Sequence, residues 1–168
     1  MRNLPAALFL ILPLGLCTAQ SAPTKPVEPA AIGVVYRLDP STHELKPLPD
    51  EPWKLGHHTS FPFLLDSIEV KQEHSLFRVR ANESLQFVFK VGSPEKVSLY
   101  RFVEKGKKRY FDVGKGNGSS SDQPIKGLPV EVTSYGERSY QLSAASPLSP
   151  GEYAINIADE VYTFGVDQ

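Results

Sequence analysis

Alternation of apolar and polar residues at a period of two constrains this chain more than any other feature. In Leu85-Gln86-Phe87-Val88-Phe89-Lys90-Val91, the residues Leu85, Phe87, Phe89 and Val91 fall on one side of an extended backbone. Gln86 and Lys90 fall on the other side. Comparable β-rich runs cover Ile32–Leu38, Glu44–Leu48, Phe61–Val70, Ser75–Arg80, Val97–Val103 and Arg109–Val113, and continue through Val130–Tyr135, Ser139–Ser143, Glu152–Ala158 and Val161–Val166. Asp39-Pro40-Ser41-Thr42, Tyr135-Gly136-Glu137 and Ala158-Asp159-Glu160 separate them with turn chemistry. No stretch repeats its apolar residues at the helical period. The expectation is an all-β domain of about nine or ten short antiparallel strands.

Composition narrows the function classes. Of 168 residues, 40% are hydrophobic and 22% charged, too apolar for a disordered chain. Lys and Arg number 18 against 19 Asp and Glu, so no basic field for nucleic acid exists.

The first residues read as an export signal, residues 1–19. Arg2 supplies a positive charge and Leu4–Leu16 is almost wholly apolar. Cys17-Thr18-Ala19 then sets small side chains where a signal peptidase expects them, predicting cleavage after Ala19. The apolar run falls short of the ~20 residues a bilayer-crossing helix needs. A lipid anchor at Cys17 is disfavoured by the bulky Leu16 before it. Since Cys17 is the only cysteine, the mature chain would hold no disulfide, thiolate metal site or cysteine nucleophile. A secreted or periplasmic protein fits this pattern, and no transmembrane segment is expected after residue 19.

Residues 20–31 carry Pro23, Pro26 and Pro29 at spacings of three, which predicts a proline-rich linker ahead of a single domain at 32–168. Pro47, Pro49 and Pro52 place the second strand on an edge or end it early. Residues 53–60 and 115–124 read as loops.

A broader pattern lies in Ser75–Val79, Leu99–Val113, Leu148-Ser149-Pro150-Gly151-Glu152-Tyr153-Ala154 and the final Tyr162–Asp167. It resembles secreted bacterial all-β proteins of uncharacterised function with an immunoglobulin-like sandwich fold. The resemblance implies an antiparallel β-sandwich, immunoglobulin-like or Greek-key, and export; it brings no activity with it. Tyr153 would place its ring in the core and its hydroxyl on a loop carbonyl, like the tyrosine corner of sandwich domains.

The search for chemistry yields no catalytic constellation. No Gly-x-Ser-x-Gly occurs, and Gly114, Gly116 and Gly118 open no helix that could hold phosphate. His57 and His58 could share a metal ion only from a loop, and His58 with His74 and Glu73 is the best set of ligands the chain offers. Solvated histidines are the simpler reading, and neither metal nor cofactor is expected. Lys105, Lys107, Lys108 and Arg109 form a charge run at a hairpin tip, suited to an anionic surface or to blocking edge pairing. Trp53 either anchors a ligand or seals one end of the core.

The functional expectation is a non-catalytic exported β-sandwich that binds a protein or envelope partner. Tyr36, Trp53, Lys107 and Arg109 are its candidate contacts, and the Val34–Leu48 edge offers strand addition. The alternative is a carbohydrate-binding module or small polysaccharide-acting hydrolase, with Trp53, Tyr36 and a loop carboxylate in one groove.

Overall fold

The computed structural model describes residues 25–60, 63–81, 83–94, 97–115, 127–157 and 160–168. The export signal, its cleavage after Ala19, Cys17, residues 20–24 and most of the 115–124 loop lie outside the described residues. Among the described residues thirteen strands, rather than nine or ten, run in chain order: β1 (Val35–Leu38), β2 (Leu45–Pro47), β3 (Trp53–Ser60), β4 (Phe63–Val70), β5 (Arg78–Arg80), β6 (Gln86–Phe89) and β7 (Ser98–Arg101). They continue with β8 (Val103–Lys105), β9 (Lys108–Lys115), β10 (Val130–Ser134), β11 (Tyr140–Ala144), β12 (Gly151–Ile157) and β13 (Glu160–Asp167). The chain is all-β, and among the described residues no helix is long and apolar enough to cross a membrane.

The strands form three sheets, ordered β10-β11-β6-β1-β2, β5-β13-β12-β7 and β3-β4-β9-β8. Pairing is antiparallel throughout except between β13 and β5, which run parallel. One core gathers Val35, Phe87, Phe89 and Leu142 from the first sheet against Tyr153, Ile155, Phe164 and Val166 of the second. A second core gathers Ile68, Val70 and Phe111 of the third sheet against Ala154 and Val161. The β5-β13-β12-β7 sheet is therefore the middle layer, buried on both faces. That position explains why β12 reads Tyr-Ala-Ile as a continuous buried run rather than alternating.

Two elements depart from the sequence expectation. Trp53–Ser60 is a strand, not a loop: it pairs with β4 from Trp53↔Val70 to Ser60↔Phe63. Its Gly56 and paired histidines give no alternation, so only the neighbouring strand reveals it. The sequence reads Val97–Val103 and Arg109–Val113 as one hairpin about Glu104-Lys105-Gly106-Lys107-Lys108. Instead the chain changes sheets at Phe102, whose N–H donates to the Glu152 carbonyl at 2.8 Å. β9 pairs with β4 on one side and, on the other, only with the short β8, through a turn whose Gly106 has φ +63°.

Other expectations match. The β2 strand lies at a sheet edge and is cut to three residues around Pro47. The Tyr153 ring stacks on Phe164 with centroids 5.4 Å apart, and its hydroxyl donates to the Ser149 carbonyl at 2.6 Å.

Candidate functional site

The segment Lys25–Gly33 is not a free spacer. Gly33 N–H donates to the Lys90 carbonyl at 2.8 Å, and Ala31 N–H donates to the Tyr36 hydroxyl at 3.3 Å. Pro29 is buried. Farther along, the Glu28 carboxylate accepts from the Glu137 N–H at 2.6 Å, and Lys25 pairs with the Glu137 carboxylate at 2.6 Å. The Glu28 carboxylate packs where a Cβ at residue 136 would lie, so Gly136 lets it approach this turn closely. This segment lies over the outer face of the first sheet. It accounts for Val88, paired with Tyr36, being as fully buried as Phe89 although it faces the other way.

Between the segment and the β1–β2 hairpin runs an open groove of about 870 Å³. Tyr36, Leu45, Tyr135, Pro26, Val27 and Ala30 supply apolar lining, and Lys46, His43 and Glu44 line the hairpin side. The hairpin turn is tightly specified. The Asp39 carboxylate accepts from Ser41 N–H at 2.9 Å and Thr42 N–H at 3.1 Å, and Asp39 N–H donates to the Glu44 carbonyl at 3.0 Å. His43 closes this turn in the left-handed region, with φ +59°. An L-residue there costs about 1 kcal/mol relative to glycine.

The β2 backbone also has a defined polarity. Leu48 N–H donates to the Val35 carbonyl at 2.9 Å, and the Asp39–Glu44 bond closes the other end of the ladder. Residues 44, 46 and 48 thus turn their backbone groups towards β1. The outward groups are Leu45 N–H and C=O and Pro47 C=O.

The candidate residues named from the sequence are not brought together. Tyr36 lines the groove on the first sheet. Trp53 begins β3 and packs against the core between the middle and third sheets. Lys107 is exposed in the β8–β9 turn. Arg109 differs most from expectation: it is not part of a solvated charge run but is fully buried, at 0% exposure. Parity explains the placement, because Arg109 shares the inward face of β9 with Phe111.

Arg109 forms the centre of a buried polar cluster that sequence reasoning missed. Its guanidinium donates to Glu51, to Glu152 at 2.7 Å, to the Ser75 hydroxyl and to the Gln72 carbonyl at 2.9 Å. It lies over the Phe102 ring, 5.0 Å from the centroid. Glu152 accepts from Ser75 N–H at 2.8 Å, from the Ser75 hydroxyl at 2.6 Å and from Arg78 at 2.5 Å. Leu76 N–H donates to the second Glu51 oxygen at 2.8 Å. Burial alone would push the Glu152 carboxyl up. Hydrogen bonds from Ser75 and Arg78, and the Arg109 charge, outweigh it and hold Glu152 below the usual carboxylate range. Each oxygen of these two carboxylates is occupied by a donor, so neither is placed to act as an acid or base on a substrate. The cluster ties β9 to β12 and fixes the loop at 71–77.

The histidines do not converge. His57 Nδ1 lies 2.6 Å from Asp66 Oδ1, and the side chain of His58 lies outside the described residues. His74 Nδ1 lies 3.5 Å from Glu152. Among the described residues, no group of three His, Cys, Asp or Glu side chains could hold a metal ion.

Comparison with protein-family models, with curated proteins and with solved structures finds no match for this chain.

Proposed function

We propose that the chain is an exported, non-catalytic immunoglobulin-like sandwich that binds an extended segment of a protein partner. Export rests on the charged, apolar and small-residue pattern of residues 1–19. The immunoglobulin-like reading is supported by strand order. β10-β11-β6-β1 facing β5-β13-β12-β7 follows the order of the two immunoglobulin sheets, and Tyr153 supplies the tyrosine corner. On this reading β3-β4 and β8-β9 are added hairpins that pair to cover the outside of the second sheet.

The observation that carries the binding reading is that groove and free edge coincide. Leu45 and Lys46 line the groove, and the outward Leu45 N–H and C=O can pair with an extended backbone. Pro47 removes the next outward donor, so the edge takes a short segment rather than extending a sheet. A polypeptide matches such groups. A polysaccharide platform is less well served, because Trp53 is packed into a core away from Tyr36.

The test is selection of random peptides displayed on phage against the protein, followed by fluorescence anisotropy on the enriched sequences. Leu45→Pro removes the outward N–H without touching the β1–β2 ladder, and should weaken those peptides at least ten-fold at unchanged Tm. Enriched peptides that bind Leu45→Pro and Lys46→Glu as well as the parent would refute the site. Binding to glycans with no peptide enrichment would refute the partner class.

A further inference from the structure

An edge strand presents a row of unpaired backbone groups, and proteins blunt it with proline, lysine, short length or a covering segment. The edges of the three sheets are β2, β10, β5, β7, β3 and β8. Pro47 interrupts β2. The short β5 carries Arg78 and Arg80, and the short β8 carries Lys105. Against β7, Leu128 N–H donates to the Leu99 carbonyl at 2.7 Å. β3 carries Lys54 within its length. Among the described residues, β10, Val130-Glu131-Val132-Thr133-Ser134, carries no proline, lysine or covering segment, and Glu131 is its single charge.

Its open side can be assigned atom by atom. Ala145 N–H donates to the Pro129 carbonyl at 3.0 Å, and Tyr135 N–H to the Ser139 carbonyl at 3.0 Å. These bonds bracket the β10–β11 ladder, so Glu131 and Thr133 turn their backbone groups towards β11. Val130, Val132 and Ser134 turn theirs outward. Val130 and Val132 rest their side chains on the first core, which leaves Glu131 and Thr133 exposed on the outer face.

We infer that β10 is a homodimer interface, with two copies pairing antiparallel about a two-fold axis at Val132. Register selects this arrangement. A pairing centred on Glu131 sets that carboxylate against its own copy. A pairing centred on Thr133 leaves Val130 unmatched. Centring on Val132 joins every outward N–H and C=O of Val130, Val132 and Ser134, and sets Glu131 opposite Thr133. The strand is thus complementary to itself in hydrogen bonding and keeps its like charges apart, as an isologous interface requires. Pairing joins two five-stranded sheets into one, and an axis normal to the sheet keeps both outer faces on the same side.

Sedimentation equilibrium on the intact protein, from micromolar to millimolar concentration, tests the interface. Dimer is expected to accumulate with concentration. Thr133→Lys places an opposite charge across from Glu131 twice per dimer and should tighten association roughly five-fold. Thr133→Glu should weaken it by a similar factor or more, and both effects should shrink at high salt. Residue 133 is exposed, so at concentrations where the protein is monomeric both variants should keep the parent Tm. A monomer at every concentration overturns the inference. So does a dimer whose constant ignores the sign of charge at 133, or a β10 edge that pairs only with another protein's strand.

Discussion

Arg109 and Glu152 show how much one residue's parity decides. Arg109 and two carboxylates, Glu51 and Glu152, are buried together, where desolvation costs several kcal/mol per ion unless every donor and acceptor is matched. Here they are matched through Glu51, Ser75, Arg78 and the Gln72 carbonyl. Removing one partner therefore costs more than the pair contributes. Glu152→Gln keeps the shape and removes the charge, leaving Arg109 with Glu51 alone, and should destabilise the fold by about 3 kcal/mol. Urea unfolding monitored by fluorescence would measure the loss. A change below ~1 kcal/mol would mean the cluster is solvated in solution. The inward position of Arg109 was legible in its two-residue offset from Phe111. Its partners were not, because Glu51 and Ser75 reach it from segments distant in sequence.

At the scale of the element, the β1–β2 hairpin is the clearest case of sequence chemistry setting structure. Asp39-Pro40-Ser41-Thr42 specifies the turn, and Pro47 confines β2 to an edge. The left-handed residue that closes the turn is His43 rather than glycine or asparagine. His43→Gly should raise stability by about 1 kcal/mol by relieving that backbone conformation. If the groove takes a peptide, the same change should weaken its binding, since the imidazole is lost from the wall. Thermal unfolding and peptide anisotropy on the one variant separate the two effects. The neighbouring β3 was illegible for the opposite reason. His57, His58 and Gly56 carry no period, and only the partner strand β4 makes the segment extended.

At the scale of the whole molecule, the carboxylates that join layers and segments predict the response to acid. Glu152 lies below its ordinary range for the reasons given. Glu69 does so through a hydrogen bond from Lys108 at 2.9 Å, and Asp167 through one from Arg78 at 2.6 Å. Depressed folded-state values contribute stability that is complete above the unfolded carboxylate range, near 4, and lost as pH falls through the lower folded values. Burial raises Tyr153 and Tyr162 instead. Their contribution is complete below the unfolded phenol value, near 10, and lost as pH rises past it. Denaturant midpoints measured across pH should therefore stay level through neutrality and fall at both ends. A midpoint that rose on acidification below ~4 would contradict this assignment.

The all-β character, the β2 edge, several of the turns and the corner tyrosine were legible in the amino-acid order alone. Each is written in local chemistry: a period of two, a missing N–H at proline, or a ring four residues from the carbonyl it reaches. Tertiary structure decided the third sheet, the double burial of β12, the packing of Lys25–Gly33 over Tyr36 and the cluster around Arg109. These depend on pairing and charge compensation between segments far apart in the chain, and no local period encodes which partner completes them.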